Sequence, residues 1–105
     1  MKKPNLNKLL AKWQRRLRLQ DWNITIEYQA LDKFPDEEIG RAKMSPNNFY
    51  AKIWVLEPAE NTSWIETLHN VELTVIHELV HILQSTAKDN EEVFIEKLAQ
   101  ALLEI

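Results

Sequence analysis

The sequence predicts an α+β fold in a single domain spanning residues 1–105. Apolar residues recur at helical spacing near the N-terminus, alternate along the middle segments, and return to helical spacing in the last part of the chain. These patterns predict an N-terminal helix, a small twisted mixed sheet of about three strands with a hairpin, a long helix and a C-terminal helix. A chain of 105 residues that is 45% hydrophobic can form one core, and a second domain is not expected.

The first predicted element is an amphipathic helix over about 5–19. Pro4 and Asn5 provide its start signals. The first 20 residues carry seven basic side chains and no acidic one. We interpret these charges as a solvated helix face, and binding of nucleic acid or an acidic partner is the less favoured alternative. The apolar residues at helical spacing are Leu6, Leu9, Leu10, Trp13 and Leu17.

The middle of the chain predicts a sheet. Alternation of apolar and polar residues over 23–30 is typical of a strand with one buried face. The acidic, proline-containing segment 31–38 predicts a loop. A β-hairpin is predicted over 39–57, because two alternating runs flank the turn sequence Ser-Pro-Asn-Asn at 45–48. Both faces of the second run, 49–57, are substantially apolar, so we expect it to be an interior strand.

A long buried helix is predicted from Ser63 to about residue 85, since apolar residues cover nearly every face of it. Ser63 and Glu66 can form a capping box at its start. Asn70 is a second potential cap. The sequence therefore leaves open whether this segment is one helix or a short turn followed by the main helix.

The last helix is expected to begin after a cap at Asp89 or Asn90. Glu92 and Glu96 share a stripe of this helix with part of its apolar side, so we expect both carboxylates to face the packed side. The predicted apolar side consists of Phe94, Ile95, Leu98, Ala99, Leu102 and Leu103.

The run from His77 to His81, His-Glu-Leu-Val-His, carries the chemistry of the chain. Histidines four residues apart lie on one helical face and can hold one metal ion, while Glu78 can reach a water molecule at that ion. Placing imidazoles among Val, Ile and Leu costs free energy unless their nitrogens have partners. The alternative is a histidine pair satisfied without metal beside a solvated Glu78. We favour the metal, because the motif is mid-helix and carboxylates follow it.

A catalytic zinc site usually has three protein ligands and one open position, so one more ligand is required. The chain has no cysteine, and His69 lies eight residues before His77, too far along the helix to join the same ion. A carboxylate is therefore favoured. Our prediction is Glu92 as the third ligand, with Glu91 as the alternative.

Glu96 is predicted to accept a hydrogen bond from the N–H group of a ligand imidazole, which would fix its tautomer. A competing explanation concerns the start of the last helix. Glu92 can be the third residue of a capping box with Asp89, and Glu91 with Glu92 can complement the helix dipole.

At these residues the chain resembles the gluzincins, zinc metallopeptidases with His-Glu-x-x-His on one helix and a glutamate ligand on a following helix. More closely, it looks like their smallest members, the minigluzincins and related small peptidases. The likeness rests on His77, Glu78 and His81, and on Glu92 and Glu96 in Asn-Glu-Glu-Val-Phe-Ile-Glu-Lys-Leu-Ala. These motifs cover about the last third of the chain, and the order of the predicted elements extends the likeness to the whole.

The resemblance implies a zincin-like fold in which a twisted sheet packs on the metal helix and the C-terminal helix. It also implies that an edge strand, here from the hairpin over 39–57, binds the substrate in extended form. The chain departs from the larger gluzincins in lacking their longer insertion after the motif and their second subdomain. The expected cleft is accordingly small, and latency or narrow specificity belongs to the prediction.

The predicted function is thus that of a zinc metalloendopeptidase with one Zn²⁺, a hydrolase in which Glu78 is the general base and a peptide or protein is the substrate. Tyr50, Tyr28 and His69 are candidates for stabilising the oxyanion. One alternative is a non-catalytic, metal-stabilised module that binds protein or nucleic acid. A weaker one is hydrolysis of an amide or ester that is not a peptide.

Location and partners are predicted from what the sequence lacks. Its apolar stretches are shorter than a membrane span, and no signal-peptide pattern follows the basic N-terminus. We therefore expect a cytoplasmic protein without a membrane partner. Nucleic acid is not favoured as a partner, and a monomer is the default.

Overall fold

A computed structural model describes residues 3–30, 38–87 and 91–103, without the side chains of 86, 87, 91, 93 and 94. The fold is α+β, with three helices and a three-stranded mixed sheet. This confirms the predicted class. Most of the predicted loop over 31–38 and the predicted caps Asp89 and Asn90 lie outside the described residues. The elements are α1 (Leu6–Arg16), β1 (Asn23–Gln29), β2 (Gly40–Ser45), β3 (Tyr50–Leu56), α2 (Trp64–Ala87) and α3 (Glu91–Leu103), with a 3₁₀ turn at Pro46–Asn48.

Two helices begin where the sequence predicts. Asn5 caps α1, because its Oδ1 atom accepts a hydrogen bond of 3.1 Å from the backbone N–H of Lys8. Ser63 caps α2, since its Oγ atom accepts one of 3.2 Å from the N–H of Glu66. Helix α2 then continues through Asn70 as one helix of 24 residues, which settles the question left open by the sequence.

Helix α1 ends earlier than predicted, at Arg16. Arg18 adopts the left-handed conformation, with φ of 59°. The N–H of Arg18 donates to the carbonyl of Arg15, and the N–H of Leu19 donates to the carbonyl of Gln14. These two bonds form a Schellman motif, in which the left-handed position is usually glycine. Arginine in that position gives no stop signal in the sequence, so the predicted end was too late.

Strand β3 lies at the centre of the sheet, parallel to β1 and antiparallel to β2. The prediction of a hairpin with an interior second strand is confirmed. Ile53 of β3 is fully buried and lies opposite Ile26 in β1 and Ala42 in β2. The helices cover this face of the sheet, and β2 remains an edge strand beside α2.

The core lies between the sheet and the helices. Trp13 of α1 is buried in it, and its indole N–H donates a hydrogen bond of 2.7 Å to Glu72 of α2. Lys12 donates to the same carboxylate oxygen at 2.8 Å. The contacts of Glu72 thus join α1 to α2. The buried apolar residues contributed by α2 are Val71, Val75, Leu79, Ile82 and Leu83.

Helix α3 packs through a narrower face than predicted. Ala101 is buried and Leu98 partly buried, whereas Ile95 and Leu103 are 61% and 86% exposed. Ala99 and Leu102 are also exposed, and Phe94 lies outside the described side chains. The expectation that the stripe of Glu92 and Glu96 faces the packed side was therefore wrong. Apolar residues surround most of α3, so the sequence pattern does not select the side that meets the core.

In the described part of the chain, no helix combines the length and the hydropathy that crossing a bilayer requires.

Candidate active site

Helix α2 brings His77, Glu78 and His81 together, as their spacing predicts. The Nε2 atoms of His77 and His81 lie 3.1 Å apart, and the two ring planes are at 80° to each other. Both imidazoles are exposed, while Leu79 between them and Ile82 directly after His81 are fully buried and hold this part of the helix in place. The ring nitrogens thus converge at one point on the surface of a rigid helix.

This separation fits two ligands of one zinc ion. At Zn–N distances of about 2.0–2.1 Å and a tetrahedral angle, two ligand nitrogens lie about 3.3 Å apart. The observed 3.1 Å is close to that value. It is also the length of a hydrogen bond in which one imidazole donates its N–H to the unprotonated nitrogen of the other. The geometry therefore suits both the metal hypothesis and the alternative of a metal-free histidine pair.

Glu78 is buried, with 5% of its surface exposed. Burial raises the pKa of its carboxyl above the usual range, the nearby His77 and His81 lower this pKa, and the charge of Glu38 raises it further. The alternative prediction of a solvated Glu78 does not hold. A buried carboxylate beside two imidazoles can accept a proton from a small molecule bound in front of it.

A groove of about 590 Å³ between α2 and β2 is lined by His77, Glu78 and His81. The hairpin predicted over 39–57 thus supplies one wall of the groove, and helix α2 supplies the other. Glu38 and Arg41 lie 3.7 Å apart as an ion pair at this groove. The lining residues are Glu38, Gly40, Arg41, Ala42, Met44, His77, Glu78, His81, Gln84 and Ser85.

A third ligand is not brought to the histidines by the residues described. Among the described side chains, which do not include that of Glu91, no three of His, Cys, Asp or Glu form a group able to hold a metal ion. Glu92 is exposed, and Glu96 is exposed and accepts a hydrogen bond of 3.3 Å from Gln100. The side chain of Glu91 lies outside the described residues. The assignments of Glu92 as ligand and Glu96 as imidazole partner stay predictions.

The oxyanion candidates lie away from the groove. Tyr28 donates its hydroxyl to the carbonyl of Pro4 at 2.8 Å, and burial raises its pKa to about 12. Tyr50 lies on the outer face of the sheet beside Lys43, and His69 is an exposed residue near the start of α2. None of these three residues lines the groove at Glu78.

Several groove residues were not predicted from the sequence. The sequence places Glu38 in a predicted loop and Gly40, Ala42 and Met44 on one face of a predicted strand, and neither pattern indicates a groove. One signal was present: Gly40, the only glycine of the chain, begins the alternating run of the first hairpin strand. A glycine within a strand often marks a close approach by another part of the molecule.

Comparison of the chain with protein-family models, with curated proteins and with solved structures finds no match.

Proposed function

We propose that this protein is a zinc-dependent peptidase in which His77 and His81 hold the metal and Glu78 is the general base. One observation carries the proposal. The same groove is lined by two histidines, whose nitrogens have the spacing of zinc ligands, and by a buried carboxylate. A histidine pair with a purely structural role has no need of a groove or of a buried carboxylate beside it. Peptide hydrolysis requires both.

Zinc, when bound, supplies a Lewis acid that polarises a carbonyl and brings the pKa of water to about 7. The proton transfers of the reaction are carried out by a side chain of the protein. Glu78 accepts a proton from the attacking water and delivers it to the amine nitrogen that leaves. Glu78 is buried and lines the groove, so its carboxylate needs little reorganisation to accept the proton.

The edge strand β2 is the proposed platform for the substrate. No other strand of the described residues pairs with its outer edge, so the backbone N–H and C=O groups there can pair with an extended peptide as an added strand along the groove. This arrangement supports a zincin-like fold and a peptide substrate. The groove is open and small, which supports the proposal of latency or narrow specificity.

The third ligand is proposed to come from the start of α3. The sequence favours Glu92, and the exposure of Glu92 leaves Glu91 as the competing choice. Helical periodicity places position 91 two turns before Leu98, a residue that packs against the core. Position 92 lies about 100° further round the helix than position 91. The two positions therefore face different directions, and they are not equally suited to supply the metal ligand.

Glu78→Gln tests the function. Gln keeps the size of the side chain and removes its ability to accept a proton, so we expect zinc binding to be retained and turnover to fall at least about 100-fold. The measurement is cleavage of a library of quenched fluorescent peptides by zinc-loaded protein, with zinc content determined in parallel. The control is Glu60→Gln, the same change at an exposed position in the loop before α2. Equal cleavage by the Glu78 variant and the wild type would contradict the mechanism.

The third ligand is identified by comparing Glu91→Gln with Glu92→Gln. Removal of the true ligand should weaken zinc binding by about 10-fold to 100-fold or more, because two histidines alone hold the ion less firmly. The other variant serves as the matched control and should bind zinc like the wild type. Titration with a competing chelator measures both affinities. If neither substitution changes them, the third ligand does not come from α3.

A second candidate function has one observation in its favour. Lys43 and Lys52 lie directly opposite each other on the outer face of the sheet, and with Tyr50 and Trp54 they line a second groove of about 330 Å³. Glu27 lies 3.5 Å from Lys52 and accepts a hydrogen bond of 3.0 Å from Trp54, so one of the two opposed charges is compensated within the sheet. An anion facing Lys43 would compensate the other, and aromatic rings beside cations suit single-stranded nucleic acid. Fluorescence anisotropy with a labelled oligonucleotide tests this. Binding that Lys43→Glu abolishes and Glu78→Gln leaves intact would support the binding module.

A further inference from the structure

We propose that Gly40 is a positioning residue for Glu78: the absence of a side chain at position 40 lets the backbone of β2 lie directly against the Glu78 carboxylate. This inference rests on the proposed function, because it concerns the general base of that reaction. It adds to the site a residue that carries no functional group of its own.

The space around Gly40 is filled by α2. A Cβ atom added at Gly40 would lie 2.6 Å from Cγ2 of Thr74 and 3.1 Å from Oε2 of Glu78. The first distance is far shorter than carbon atoms tolerate, and the second is tighter than ordinary van der Waals contact. Any residue other than glycine at this position must therefore displace Thr74, Glu78 or the start of β2.

Conformation does not explain the glycine. The structure has no glycine with a positive φ, so Gly40 takes a backbone geometry that other residues also adopt. Glycine in a strand costs free energy because it loses more conformational freedom on folding and buries no side chain. The chain has a single glycine and places it in the groove, opposite the buried carboxylate. Close approach is the remaining physical reason for it.

The close approach fixes where the Glu78 carboxylate can lie. On one side it is limited by its own helix, and on the other by the backbone of β2 at Gly40. Proton transfer requires heavy-atom distances of about 2.6–3.2 Å, and a displacement near 1 Å can lower a rate about 100-fold. A side chain at position 40 should therefore impair turnover without removing any zinc ligand.

The substitution Gly40→Ala alone is ambiguous, since the contact with Thr74 could simply unfold the protein. Thr74→Ser removes that contact, because serine lacks Cγ2. Serine keeps the hydroxyl, which in Thr74 donates a hydrogen bond of 2.9 Å to the carbonyl of Asn70. The informative comparison is therefore the double variant Gly40→Ala/Thr74→Ser against Thr74→Ser alone.

We expect the double variant to melt within a few degrees of Thr74→Ser and to bind zinc with the same affinity. Its kcat for a peptide that the wild type cleaves should fall about 10-fold to 100-fold, because the added methyl still crowds Oε2 of Glu78. A residue with only a packing role would regain activity together with stability. Equal kcat in the double variant and Thr74→Ser would overturn the proposal.

A second measurement separates this proposal from the proposed function. Crystal structures of Thr74→Ser and of the double variant report the position of the Glu78 carboxylate whether or not any peptide is cleaved. We expect Oε2 to move away from position 40 by several tenths of an ångström in the double variant. If the wild type cleaves no peptide, the proposed function fails. If the carboxylate does not move, the positioning role of Gly40 fails.

Discussion

Glu72 links helix α1 to α2 by hydrogen bonds, in addition to the apolar core that the two helices share. Its Oε2 atom accepts hydrogen bonds from Lys12 at 2.8 Å and from the indole of Trp13 at 2.7 Å. The hydrogen bond from Lys12, and then that from Trp13, lower the pKa of Glu72 below its usual range. A carboxyl with a lowered pKa in the folded state stabilises that state wherever it is ionised.

Glu72→Gln should therefore lower the stability of the protein near pH 7 by about 1 kcal/mol, a value kept modest because the pair is partly solvated. The sign of the pH dependence follows from the lowered pKa. The contribution of Glu72 is present above the pKa of the unfolded chain and is lost as pH falls through the folded value. Urea unfolding of the variant and the wild type across pH 3 to 7 measures it, with Glu60→Gln as control. A stability difference that widened as the pH fell would contradict the assignment.

The positions of the two histidines relative to each other were easier to predict from the sequence than the surroundings of Glu78 and Glu92. His77 and His81 lie on one helix, so their spacing alone brings their nitrogens together. The contact between Gly40 and Glu78 joins two elements that lie far apart in the chain. No local pattern reports such a contact. The same holds for Glu92, whose orientation depends on how α3 packs.

Among the elements, helix starts were predicted more successfully than helix ends. Asn5 and Ser63 cap their helices through side-chain atoms, so residue type alone marks the position. The end of α1 depends on Arg18 in a left-handed conformation, which residue type does not indicate. The hairpin was predictable because its turn sequence and both alternating strands are local features.

Ser63→Ala tests the cap of α2, the helix that carries the candidate site. Loss of the hydrogen bond to the N–H of Glu66 should cost about 1 kcal/mol, which corresponds to about 4–8 °C in melting temperature for a domain near this size. Thermal unfolding followed by circular dichroism measures the change. Ser63→Asp is the matched control, because aspartate keeps the cap and complements the helix dipole. A melting temperature of Ser63→Ala equal to that of the wild type would show that the cap contributes nothing.

For the molecule as a whole, one sheet face and three helices build a single core, and the candidate site lies at the boundary between α2 and the edge strand β2. The sequence predicted the class of this fold and the motif on α2. The groove itself was not predictable, because it is formed by the packing of β2 against α2. The side of α3 that meets the core was predicted wrongly, because apolar residues such as Ile95 and Leu103 are spread around the helix. Which of them is buried depends on how α3 packs against the rest of the molecule.

The central claim is that His77 and His81 hold a zinc ion in the groove beside Glu78. X-ray diffraction at the zinc absorption edge, from crystals of the full chain grown with one equivalent of zinc, tests it most directly. We predict one anomalous peak about 2.0–2.1 Å from both Nε2 atoms, absent in crystals of His81→Ala. Crystals that show no anomalous peak there, with the two imidazoles still joined at hydrogen-bond distance, would contradict the claim.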